Sequence, residues 1–229
     1  MMKNTRSRLQ CFNRKFGSAV ALCFVFFPGL MSAEEAENLL WHGAKLVVEV
    51  PDDLVRVDNA DSDIAKALKA TKAEGYTLLF SFVDSKSLKA ASEARRDGDS
   101  APLPNATITV PRDFLIPDRK PSMTPAEMVA AMKMYMDQEK AKGAGASNSA
   151  VISQSDHHVS ILTKSKIERR TSGNLEKKEM ALISSHVNAG KFFVLINVSG
   201  LWTNEEDLQK LSLFDEKLRS GLKIVLDNP

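Results

Sequence analysis

Residues 186–200 read HVNAGKFFVLINVSG. Asn188, Ala189 and Gly190 stand between two apolar runs, and turn formers in that setting are the local chemistry of a β-hairpin. The second run, FFVLINV over 192–198, is apolar at consecutive positions rather than alternate ones. A strand of that kind is covered on both faces and belongs near the middle of a sheet.

The neighbouring sequence supplies its companions. Residues 151–152, 158–170 (HVSILTKSKIERR) and 175–187 read as further antiparallel strands. After the central run, Thr203 and Glu206 make a Thr-x-x-Glu capping pattern, and Leu208, Leu211, Phe214, Leu218, Leu222 and Val225 recur every three or four residues. This predicts a C-terminal helix opened at Thr203 whose apolar face runs on to Val225 and docks against the sheet. Trp202, just ahead of it, is expected to pack onto the helix as a hydrophobic staple.

Towards the N-terminus, 45–50 (KLVVEV), 76–83 (YTLLFSFV) and 106–110 (ATITV) read as strands. The first and last stop at Pro51 and Pro111, because proline has no N–H to give a ladder. Residues 61–75 and 85–96 read as helices and 97–105 as a loop of turn formers. A further helix opens at Thr124, with Pro125 at its first position and Glu127 closing a capping box. Its stripe of Met128, Met132, Tyr135 and Met136 is expected to face the core, and 143–148 (GAGASN) reads as a flexible link. The pattern as a whole predicts an α+β fold: one antiparallel β-sheet with helices packed on its faces, in a single domain over 34–229.

Residues 1–33 have a different character. Lys3, Arg6, Arg8, Arg14 and Lys15 precede an uncharged stretch, 16–33, whose centre is SAVALCFVFF. A basic head before an apolar run is the layout of a secretory signal peptide, with cleavage after Ala33; retained, 16–33 would serve as a membrane anchor. Five of the 31 basic residues lie in this leader, so 26 face 29 acidic residues in the remainder, a net charge of about −3. That balance gives no support for nucleic acid as a partner. Both cysteines, Cys11 and Cys23, fall in the leader, so the processed chain has no thiol, disulfide or cysteine metal ligand.

Three stretches carry a resemblance to a known family: KLVVEVPDDL at 45–54, ITVPRDFLIPDRKPSMTPAEMVAAMKMYM at 108–136, and HVNAGKFFVLINVSG followed by the amphipathic C-terminal segment. In their order they resemble the PsbP-like superfamily of photosystem and bacterial envelope proteins, over most of 44–225. Ser220-Gly221-Leu222 departs from the Ser-apolar ending of that family. The resemblance implies helices on an antiparallel sheet in a protein that assists others without catalysing a reaction, and it implies no catalytic residues and no cofactor.

Chemistry is sparse in the sequence. No Gly-x-Ser-x-Gly elbow, His-Glu-x-x-His pair or phosphate-binding loop occurs. The candidate metal or acid/base residues are His158 and His186, with His157 and Asp156 beside the first. Neighbouring strand residues point to opposite faces, so only one of His157 and His158 is expected to share a site with His186. Trp41 is a candidate partner anchor, and Asn105 and Asn197 stand in glycosylation sequons. Two functional classes remain: an exported, non-enzymatic accessory domain that binds another envelope or secreted protein, and a small hydrolase or metal-dependent enzyme built on a His158/His186 cluster.

Overall fold

A computed structural model describes residues 35–39, 44–58, 68, 74–94, 104–116, 119–141, 148–171 and 174–226, which fall within the unit 33–229. Its strands are β1 (Glu35–Leu39), β2 (Ala44–Glu49), β3 (Leu54–Arg56), β4 (Tyr76–Asp84), β5 (Asn105–Pro111), β6 (Ser149–Gln154), β7 (His158–Thr171), β8 (Asn174–Ala189), β9 (Phe192–Leu201) and β10 (Leu222–Leu226). Its helices are α1 (Ser85–Ala94), α2 (Pro125–Ala141) and α3 (Glu205–Ser220). The leader, Trp41-His42, most of the predicted helix at 61–75, and residues 143–147 of the link lie outside the described residues.

Seven strands form one antiparallel sheet in the order β3-β4-β5-β9-β8-β7-β6. As its consecutive apolar residues require, β9 lies inside, between β5 and β8, with Phe192 to Ile196 all buried. The β8–β9 turn is tight because Gly190 takes a positive φ of 74° while its N–H donates to Asn188 Oδ1 at 3.1 Å. A separate three-stranded sheet, β1-β2-β10, adds Leu46 and Val48 to the core. The α+β class with antiparallel strands is therefore as expected, but the strands divide between two sheets.

The two faces of the large sheet differ. On one, α3 buries Leu211, Phe214 and Leu218 against apolar residues that include Phe80, Phe82, Ile108, Ile183 and Ile196. Each such burial stabilises by about 1.5–3 kcal/mol. On the other, α2 crosses β7, β8 and β9, burying Val129 and Met136. Its capping box forms as expected: Thr124 N and Oγ1 donate to Glu127 Oε2 at 2.7 and 2.8 Å, and Glu127 N donates back to Thr124 Oγ1 at 3.2 Å. Of its stripe, Tyr135 faces outward at 54% exposure.

The C-terminal segment departs from expectation twice. The helix cap is Asn204, whose Oδ1 accepts from Asp207 N at 3.0 Å, while Thr203 donates through N and Oγ1 to Asp207 Oδ2. The box is thus shifted one residue from Thr203/Glu206. The helix also ends at Ser220, and Leu222 and Val225 lie in β10, paired with Val48 and Lys45 of β2. Apolar residues three apart fit a helix face, but Gly221 breaks the helix and brings the next residues within ladder reach of β2. A Cβ at Gly221 would stand 2.6 Å from Glu49 Cβ. Gly221→Ala is therefore expected to cost about 1–3 kcal/mol, seen as a lower thermal midpoint; an unchanged midpoint would mean the two strands separate freely there.

Candidate functional site

His158 opens β7 on the α3 face, and its ring is held on both nitrogens. Ser155 Oγ lies 2.8 Å from Nδ1; Ser153 Oγ and Arg219 Nη1 both lie 3.0 Å from Nε2. A guanidinium only donates, so Nε2 is the acceptor and the proton sits on Nδ1, donated to Ser155. Burial and then the charge of Arg219 hold the His158 pKa below the ordinary histidine value, although Asp215 pulls the other way. The imidazole is neutral at pH 7.

Arg219 is itself anchored one turn back on α3. Its Nε donates to Asp215 Oδ2 at 2.8 Å, and Asp215 is 2% exposed. The same carboxylate accepts from Ser185 Oγ at 2.5 Å and from Ser160 Oγ at 3.4 Å, and the two buried hydroxyls lie 2.6 Å apart. A buried acid stays charged only when its oxygens are satisfied, and here β7, β8 and α3 together do that. Arg219 therefore stands between the carboxylate and the histidine. A Ser-His-Asp relay needs the acid on the imidazole, and that position holds a cation. Ser153, His158, Asp215 and Arg219 of this network line an open cleft of about 640 Å³, together with His157, Glu216 and Asn188.

His186 lies on the other side of the sheet. His158 pairs with Val187 and Val159 with His186. Partners directly across a ladder share a face, so His158 and His186, one step apart, face opposite ways. His186 is buried beside Phe193, ring centroids 5.7 Å apart, in a small recess under Met132 and Met136. Burial lowers its pKa to about 4. His157 and Asp156 are exposed in the β6–β7 turn. The structure thus does not bring His158 and His186 together, and among the described residues no three His, Cys, Asp or Glu side chains are grouped to hold a metal.

Other residues singled out in the sequence serve the fold. Asn105 Oδ1 accepts from Ser199 Oγ at 3.1 Å and Asn197 Oδ1 from Ser184 Oγ at 2.8 Å, both across strands. Trp202 packs on the core cluster beneath Lys164, whose Nζ is 3.5 Å from the ring centroid, a cation–π contact. Asp215 and Arg219 were not anticipated, although a signal existed: an acid inside the Leu211–Leu218 apolar stripe with an arginine four residues on.

The second feature of this end of the molecule is β6. It has β7 on one side and, among the described residues, no strand on the other. No charged residue occurs from 143 to 155, and Val151 and Ile152 are 38% and 41% exposed. Edges left open are ordinarily blunted by charge, proline or shortness. The opposite edge obeys that rule: β3 is three residues long, with Asp52 and Asp53 before it and an Arg56–Asp58 ion pair at 2.8 Å. At β6 only a bulge between Val151 and Ser153 interrupts the ladder. The strand is also the ridge between two depressions, since Ile152 and Ser153 line both the 640 Å³ cleft and a second one of about 720 Å³ against Met136 and Asp137 of α2.

No family model matches the chain, and no curated protein matches it. Solved structures similar to it include the following three. The Ran-binding protein Mog1p of Saccharomyces cerevisiae aligns at 12% identity and a TM-score of 0.42, covering 85% of this chain and 97% of that one. LpqN of Mycobacterium tuberculosis, involved in cell envelope biogenesis, aligns at 11% and 0.37, covering 83% and 91%. The cyanobacterial PsbP of Synechocystis aligns at 14% and 0.32, covering 86% and 96%, so a protein of the family resembled in the sequence stands among the similar chains. At these scores the likenesses carry no functional weight, and the fold rests on the strand order and register.

Proposed function

We propose that this protein is an exported accessory domain that works by binding another protein along the β6 side of its large sheet. The observation that carries the reading is an uncharged edge strand, open on one side among the described residues, with a cleft on each face. An edge of that composition is a template for pairing with another chain. Export is supported by the basic-then-apolar leader of residues 1–33. Among the described residues no helix is long and apolar enough to cross a membrane. Arg219 on Nε2 gives His158 a positioning duty: it ties the β6–β7 turn to α3 and so shapes the cleft wall.

The test is affinity capture from the producing cells' envelope, comparing the native protein with Val151→Pro. Lys164 N donates to Asn148 O at 2.9 Å, and Ser149 pairs with Thr163. Residue 150 therefore makes the ladder bonds and the Val151 N–H points away from β7. Proline there blocks the edge and spares the β7 ladder; Val151→Lys is the second variant should the first lower the melting temperature. One companion in near-equal amount, held by the native protein and lost in the variant, is the expected result. Equal retention by a variant of unchanged melting temperature would contradict the assignment of this side.

A further inference from the structure

We propose that the recess between α2 and the large sheet is a site for one soft, monovalent metal ion, Cu(I), held by the imidazole of His186 and the thioether sulfurs of Met132 and Met136.

The histidine is the observation that points to a ligand. His186 is 9% exposed, and neither ring nitrogen has a hydrogen-bond partner among the described residues. Polar groups buried to that degree ordinarily have one. The ring instead lines a recess of about 230 Å³ together with Met132 and Met136. A water molecule takes about 30 Å³ in the liquid, so the space admits an ion and leaves the sulfurs room to turn. Met132 and Met136 stand one turn apart on α2, which puts their Cβ atoms about 5–6 Å from one another on the same helix face. Three rotatable bonds in each side chain let both sulfurs reach one point. Two of the three donors are thioethers, so the site is distinct from any grouping of His, Cys, Asp and Glu.

Donor chemistry selects the ion. The hydroxyls that share the recess are engaged across the strands: Ser149 Oγ lies 2.8 Å from Thr163 Oγ1, and Ser184 Oγ donates to Asn197 Oδ1 at 2.8 Å. Glu139, also on the wall, has an interaction of its own, and the Tyr135 side chain faces outward. What remains is one nitrogen and two sulfurs, all uncharged. A dication such as Zn(II) would give up its water there without an unengaged carboxylate to offset the cost. Thioethers select Cu(I), and imidazole serves copper equally well. The site is separate from binding along the β6 edge and stands or falls apart from it.

The test uses the full chain carrying Cys11→Ser and Cys23→Ser, which removes the two thiols that would compete for the ion. It is titrated anaerobically with Cu(I) against the chromophoric chelator bicinchoninate. One equivalent is expected to be held, and excess Zn(II) is expected not to displace it. Met132→Leu and His186→Gln should each weaken binding at least about tenfold, a difference of about 1.4 kcal/mol. Leucine matches methionine closely in volume, so the first variant removes the sulfur without opening a cavity. A second measurement needs neither variant: with methionine methyl groups labelled with carbon-13, one equivalent of Cu(I) should shift the signals of Met132 and Met136. Those of Met128 and Met134, on the same helix but outside the recess, should stay in place. Failure to hold Cu(I), undiminished binding in both variants, or shifts spread equally over Met128 and Met134 would overturn the inference, the last as an adventitious surface ion. Displacement by Zn(II) with the same dependence on His186 would overturn the assignment to a soft ion.

Discussion

Asp215→Ala is expected to lower the stability of the protein by about 3–5 kcal/mol, the range for removing one member of a buried ion pair. The carboxylate is 2% exposed and neutralises Arg219, whose side chain is only 16% exposed. Alanine would leave that guanidinium uncompensated and take away the acceptor of the buried Ser160 and Ser185 hydroxyls. The loss is not confined to one helix, because Arg219 carries the contact to His158, and His158 in turn holds Ser153 and Ser155. Asp215→Asn keeps an acceptor but not the charge, and should fall between native and alanine. Urea unfolding of the three proteins measures this. A cost below about 1 kcal/mol for alanine would mean that water replaces the carboxylate, and that the network does not hold α3 against β7 and β8.

Acid should weaken the protein through His186. The ring titrates at 6.5 when unfolded and at about 4 in the folded state, displaced by burial. Between those values the unfolded chain takes up a proton that the folded chain refuses. Stability is therefore complete above pH 6.5 and declines as pH falls, by about 1.4 kcal/mol per unit and about 3 kcal/mol in all by pH 4. His158 shifts in the same direction, while Asp84 and Asp207, whose pKa values are lowered from 3.8, lose their contribution below this window. Subtracting the pH profile of His186→Gln from that of the native protein isolates the one group. Parallel profiles between pH 7 and 4 would show that His186 takes its proton without unfolding, in contact with water.

Much of the fold could be read in the sequence because its signals are local. The consecutive apolar residues of β9, the Asn188–Gly190 turn, the Thr124–Glu127 box and the prolines at 51 and 111 each act within a few residues. What escaped was non-local. Leu222 and Val225 continue a helical period, and only the crossing of Gly221 over Glu49 converts them into a strand on β2. The Thr203/Glu206 pattern competed with Asn204/Asp207 one residue on, and the difference between the two lies in side-chain geometry. The histidines show the limit most plainly. Residue type made His158 and His186 a pair, but a register offset of one residue set them on opposite faces, and that register depends on how β7 and β8 pair along their length. The strand character of 151–152 was likewise visible, whereas the absence of a strand beside β6 among the described residues is a property of the assembled sheet.

The central claim is that a partner occupies the β6 edge. A photo-crosslinking amino acid at position 151, compared with the same residue at Val55 on the opposite edge strand β3, tests it most directly, since both side chains are comparably exposed, 38% and 41%. Irradiation of producing cells is expected to join the protein to one companion from position 151 and not from position 55. Equal yields from both edges, or a product from 55 alone, would contradict it.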